Sequence, residues 1–165
     1  MHETNQDLAW LQEVLDQTYA RAGAHLAGIH TGPTRVAARD LVEQVTGMQV
    51  LVVATVSADG RPLTGPVDGF FYRGRWHFGT APTAVRTRHL ERSPYVSATH
   101  VRGEALVVTV HGSARRLDLA GADSGFRELL LAQYSGEWEE WGAASPYFAI
   151  EPDRMFAADM SVHTQ

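Results

Sequence analysis

The chain has 165 residues, 44% of them hydrophobic and 20% charged, which suits one globular domain with its own core. Its formal net charge of −5 gives nucleic acid no electrostatic hold. It contains no cysteine, which excludes disulfides, thiol catalysis, Cys-ligated zinc and iron–sulfur clusters and fits a reducing cytosol. The opening MHETNQDLAW is polar and acidic, unlike a signal peptide, and no apolar run approaches the ~20 residues needed to span a bilayer. The expectation is a soluble, cytoplasmic protein with neither a membrane nor a nucleic-acid partner.

Residues 5–28 carry apolar side chains at helical spacing, through Leu8, Leu11, Leu15, Tyr19 and Ala22, and Gly28 closes the pattern. Thr34 then reads as the N-cap of a second helix over 35–45, ended by Gly47. Residues 1–34 are thus expected to form a helical extension, and residues 35–165 the main domain. From Met48 the pattern becomes β-branched. MQVLVVATVS, the Asp59-Gly60 turn, LTGPVDGFFY, a second Gly turn and WHFGT predict a three-strand meander. HFGTAPTAVRTRHLERSP leaves the third strand through a Thr- and Pro-containing turn into a helix. PYVSATHV and EALVVTVHGSARRLD pair around Arg102-Gly103. SGFRELLLAQY is helical, GEWEEWGAASP is a short helix or loop, and YFAIEPDRMFAA is a last strand bent or at an edge because of Pro152. Six antiparallel strands with flanking helices predict a mainly β fold, a small closed or partly closed barrel. Gly65, Gly69, Gly79 and Gly112 are candidates for its bends.

The segment from 77 to 94 poses the sharpest functional question. A helix start presents unpaired N–H groups at the positive end of the helix dipole, and a phosphate sits well there. Thr80 and Thr83 offer hydroxyls, and Arg86 and Arg88 offer charge. The alternative is a solvated basic face that pairs with Glu91 or the acidic C-terminal region. In GPVDGFF, Gly65, Pro66 and Gly69 allow close approach to a strand backbone. Asp68 is a candidate for a substrate's cationic group or for a proton, and otherwise a rim residue. Trp138 and Trp141, three apart, are either a lid or packing residues. His100 and His111 lie on neighbouring strands and are candidates for one shared pocket. No histidine spacing suits a metal.

LVVATVSADGRPLTGPVDGFFYRGRWHFGT, TAVRTRHLERSPYVSATHV and VTVHGSARRLD resemble, in that order, the pyridoxamine 5'-phosphate oxidase-like, FMN-binding split-barrel superfamily, in particular its actinobacterial flavin- and deazaflavin-dependent branch. The likeness covers residues 35–158. It implies a six-stranded antiparallel split β-barrel, a homodimer, and a cofactor at the dimer interface. The implied activity is an FMN- or deazaflavin-dependent oxidoreductase acting on a small molecule; the alternative is a non-catalytic flavin- or haem-binding protein. In the family's phosphate motif a Thr is followed, four positions on, by Ser, Arg and Lys or Arg. Thr80 and Arg86 match its ends, while Ala84 and Val85 stand in the Ser and Arg places, and Arg88 offers partial compensation. The resemblance puts Pro66, Val67, Asp68 and Gly69 beside the flavin ring, with Gly79, Thr80 and Thr83 near the phosphate. Val107 stands where the oxidase proper has a Gln that contacts flavin. The oxidase's C-terminal Arg- and His-bearing segment has no counterpart in SVHTQ, so pyridoxamine-phosphate oxidation itself is not expected.

Overall fold

A computed structural model describes residues 2–30 and 32–161. The last four residues of the expected 35–165 domain lie outside the described residues. Helix α1 spans Asn5–Ala20 and starts on a capping box: Asp7 N–H donates to the Thr4 hydroxyl, and the Asp7 carboxylate accepts from the Thr4 N–H at 2.8 Å. Its apolar face buries Leu11, Leu15 and Tyr19. The expected single helix over 5–28 is broken. A separate short helix, α2 (Ala24–Ile29), follows Gly23 and buries none of its residues, so no packing continues the first helix past Tyr19.

The expected Thr34 cap is also corrected. Thr34, itself buried, ends a 3₁₀ turn, and the next residues run extended along the last strand: Arg35 bridges Ala158, and Val36 N–H donates to the Ala157 carbonyl. Helix α3 therefore begins later, at Ala38–Gln44, and the Gln12 side chain of α1 accepts from the Ala38 N–H at 2.9 Å.

The strands are β1 (Met48–Val56), β2 (Pro62–Tyr72), β3 (Arg75–Gly79), β4 (Tyr95–Arg102), β5 (Leu106–Arg116) and β6 (Tyr147–Ala158). They close into an antiparallel barrel in the order β1-β2-β3-β6-β5-β4. Leu51, Val53, Trp76, Phe78, Val108, Val110 and Ile150 belong to its buried core. Helix α4 (Val85–Arg92) links β3 to β4, and α5 (Ser124–Gln133) and the single turn α6 (Trp138–Trp141) link β5 to β6. Beneath α5 and α6 lies a second apolar cluster of Phe70, Phe126, Leu130, Trp138 and Tyr147. Among the described residues no helix is long and apolar enough to cross a membrane.

Of the four candidate bend glycines, only Gly112 sits at a register shift. There a Cβ would fall 2.0 Å from the Glu151 carbonyl oxygen, and Pro152 faces it across the bulge. Pro152 is thus accommodated inside a closed sheet rather than at an edge. Gly65, Gly69 and Gly79 lie in unbroken register, and their missing side chains make room instead for Arg86, Leu51 and the Tyr147 ring.

Helix α1 is pinned to β6 by polar contacts. The buried Tyr19 hydroxyl donates to the Ala157 carbonyl at 2.6 Å and accepts from its N–H at 3.1 Å, and the Thr18 hydroxyl accepts from Met155 N–H. Tyr19→Phe is expected to cost about 1–3 kcal/mol, because it leaves a buried N–H unpaired. Urea unfolding of the two proteins measures this; equal midpoints would show that the hydroxyl is dispensable.

Candidate functional site

β2 outruns β3. Their pairing begins at Gly69, so from Pro62 to Asp68 β2 is bonded only to β1 and its other edge carries no strand. The start of α4 lies against this free edge. Arg86 reaches across to donate to the Gly65 carbonyl at 3.1 Å, in the space that a Cβ on residue 65 would close to 2.8 Å.

Arg86 is half-buried, and among the described residues no carboxylate lies within salt-bridge distance of it. Burial alone moves its pKa down from the ordinary arginine value, and the guanidinium keeps its charge. The expected alternative, a pair with Glu91, is not formed. Among the described residues the N–H groups of Val85 and Arg86 also find no acceptor, as the first turn of a helix leaves them. A cleft of about 300 Å³ opens here, bounded by Thr55, Thr64, Val85, Arg86 and His89. Ala84 caps α4 with no side-chain hydrogen bond, so the short side chain leaves the helix start open.

The other threonines and arginine of the segment are placed differently. Thr80 is buried, its N–H is spent on the Pro146 carbonyl, and it lines a second cleft rather than the one with Arg86. Only its hydroxyl is left to offer. Thr83 is exposed, and Arg88 turns back to donate to the Thr83 carbonyl at 3.3 Å, away from Arg86.

The second cleft, of about 220 Å³, lies further along the same strand. Val67, Asp68, Gly79 and Thr80 line it, together with Tyr134, Trp141 and Tyr147. From Gly65, where Arg86 rests, to Asp68 is three residues of extended chain, about 10 Å. The Tyr134 hydroxyl donates to the Asp68 carboxylate at 2.9 Å. Burial first, and then Asp68, push the Tyr134 pKa far above the ordinary phenol value, so its proton stays on. Pro66 and Gly69 belong to the same strand, but Gly69 is packed against Leu51 and lines neither cleft.

The two tryptophans separate. Trp141 is 56% exposed, and its ring stands at 83° to that of Tyr134, 5.0 Å away, at the cleft. Trp138 is buried in the second cluster, with its indole N–H donated to the Tyr147 hydroxyl, so within this chain it is packing and not lid. The two histidines also part. His100 is buried, and His111 is exposed with Nδ1 at 2.8 Å from the Ser97 hydroxyl. The β4–β5 register pairs His100 with Val108 and Ser97 with His111, which puts the imidazoles on opposite faces and overturns the shared pocket.

Three titratable residues of these clefts escaped the sequence reading. Tyr134 and Tyr147 reach Asp68's cleft from elements distant in sequence. His89, three residues after Arg86 on the same helical face, is buried with its Nδ1 at 2.9 Å from the Thr55 hydroxyl. A third cleft, around His77, has Arg75, Arg115, Asp123 and Glu151 in its lining, which pair among themselves at 2.7–3.3 Å, together with Asp7, Arg73 and Glu128. Among the described residues no group of three His, Asp or Glu side chains is placed to hold a metal.

Comparison with protein-family models matches residues 37–157 to pyridoxamine 5'-phosphate oxidase. The chain belongs to this family. Among solved structures it is similar to protein Rv2991 from Mycobacterium tuberculosis, at 15% identity over 82% of this chain and 92% of that one, with a TM-score of 0.68. A FAD-binding protein from Mesorhizobium loti shares 18% identity over 74% of this chain and 93% of its own, with a TM-score of 0.59. A haem-binding protein from Mycobacterium smegmatis shares 20% identity over 69% of this chain and 49% of its own, with a TM-score of 0.58. At these identities the likeness is one of fold. Comparison with curated proteins found no match.

Proposed function

We propose that this family member is a flavin-dependent oxidoreductase that binds FMN, or a deazaflavin coenzyme in its place, and acts on a small molecule by hydride transfer. The carrying observation is Arg86: a half-buried cation without a carboxylate, set beside two unpaired N–H groups at a helix start and an unpartnered strand edge. A phosphate monoester completes that arrangement, which fits the group. When bound, the flavin would supply the hydride chemistry. Arg86 and the Val85 N–H would hold the phosphate. The free edge of β2 from Gly65 to Asp68 would meet the rest of the molecule, with Thr80 and Trp141 near its far end. The FAD-binding relative supports a flavin on this barrel.

The haem-binding relative supports a second reading, a carrier of flavin or haem without catalysis. No histidine, cysteine or methionine lines the Asp68 cleft, and its two tyrosine hydroxyls are engaged by Asp68 and Trp138, so the residues there favour flavin. Titration of the purified protein with FMN, a deazaflavin and haem tests the reading. Tight binding of FMN or the deazaflavin is expected. A Soret band from bound haem, with neither of the others retained, would overturn it. Reoxidation of the reduced, loaded protein by added acceptors separates oxidoreductase from carrier.

The proposed assembly is a homodimer. β1 turns Val50, Val52 and Val56 outward, and the register that pairs Val52 with Thr99 puts Val101 and Tyr95 of β4 on the same face. Val50 and Val101 are each 57% exposed and Tyr95 is 70% exposed, an apolar stripe on one face of β1 and β4; Leu63, which pairs with Thr55, faces the other way and lies with Val85 at the Arg86 cleft. A second copy packed on this stripe would bury it and wall the cofactor cleft. Light scattering should then give twice the 18.1 kDa chain mass. A monomer at micromolar concentration would refute the shared site.

A further inference from the structure

We propose that the cleft around Asp68 binds an organic cation, so that the substrate class is a protonated amine or a quaternary ammonium compound. Only the word substrate rests on the flavin reading; the cation site stands on its own residues.

Asp68 has no Arg or His within salt-bridge distance among the described residues, and none of the side chains lining its cleft is basic. Among the described residues its one side-chain partner is the Tyr134 hydroxyl, which donates to the carboxylate and orients it. Four of the other lining residues are aromatic, and Val67, Gly79, Thr80, Ala81 and Ser145 complete the wall. Tyr134 and Trp141 stand at right angles, and Phe70 and Tyr147, both nearly buried, form the floor. Aromatic faces carry negative charge density, and a cation held over them within about 6 Å of a ring centroid is attracted. An anion entering here would meet the carboxylate. A neutral apolar molecule would strip water from that carboxylate and return nothing. A compact cation with an apolar skirt satisfies both the charge and the rings. The site is also opposite in sign to the Arg86 cleft at the other end of the strand edge.

Calorimetric titration with choline, and with the neutral analogue in which carbon replaces the choline nitrogen, tests this on the full chain without added flavin. Saturable choline binding is expected, weakened by salt and at least about tenfold tighter than that of the analogue. Asp68→Asn keeps an acceptor for Tyr134 and is expected to lose at least about tenfold in choline affinity with an unchanged melting temperature. Trp141→Ala, a change at an exposed position, is expected to weaken choline binding as well. Equal affinity for choline and the analogue, no saturable choline binding, or full choline affinity in Asp68→Asn would overturn the proposal. FMN titration of the same wild-type sample reads the flavin assignment separately. FMN binding without choline binding sinks the cation site alone. Choline binding with neither FMN nor the deazaflavin bound supports the site and sinks the flavin reading.

Discussion

Replacing Arg86 with alanine is expected to weaken FMN binding about ten- to hundredfold, from the loss of a charge-assisted contact worth roughly 1.5–3 kcal/mol. The effect should depend on the phosphate. Riboflavin lacks it, so riboflavin should bind wild type and variant alike, and more weakly than FMN binds wild type. The structure gives the reason for the size. Arg86 is half-buried and its protein partner is a single carbonyl, that of Gly65, so an incoming phosphate does not have to displace a carboxylate. The fold should survive the change, since Arg86 makes no ion pair and its cleft is open. Unchanged FMN affinity in Arg86→Ala would leave the segment from 77 to 94 as an ordinary basic helix.

Acid should destabilise the protein through His77. This residue is 5% exposed, its ring is stacked on Phe126 with centroids 4.5 Å apart, and its Nδ1 faces the Arg75 carbonyl at 3.1 Å. Burial pushes its pKa down from the usual 6.5 to about 4. The folded protein therefore keeps His77 neutral where the unfolded chain takes up a proton. The stability this confers is full above pH 6.5 and is lost progressively as pH falls towards 4, by about 3 kcal/mol in all. Asp123, held below the usual carboxylate range chiefly by the hydrogen bond from Arg115, adds a further loss at lower pH. His77→Phe keeps a ring against Phe126 and removes the titrating group. Its unfolding free energy between pH 6.5 and 4 should be flatter than that of wild type. Parallel profiles for the two proteins would show that His77 does not carry the acid sensitivity.

The succession of strands along the chain and the hairpin turns were legible because alternation and Gly turns are local signals; the place of β6 between β3 and β5 was not. Boundaries that depend on distant partners were not. Thr34 reads as a helix cap until the pairing of Arg35 with Ala158 shows that the chain there must be extended. The helix over 5–28 ends early because only α1 has β6 to pack against. In the site, Arg86 could be found from the sequence, since a helix start following a strand is a local pattern. Tyr134 could not, since its partner Asp68 lies 66 positions away. Trp138 and Trp141 share a spacing and not a fate, because a single turn resting on the second cluster turns one ring inward and leaves the other out. The histidine faces were decided by the β4–β5 register, which pairs His100 with Val108 and cannot be fixed from the turn residues alone.

The decisive measurement is a crystal structure of the protein with FMN. It should show the phosphate hydrogen-bonded to the Arg86 guanidinium and the Val85 N–H, the ring system along β2 towards Asp68, and a second copy packed over Val50 and Val101. A flavin phosphate bound elsewhere, with Arg86 still resting on the Gly65 carbonyl, would contradict the assignment.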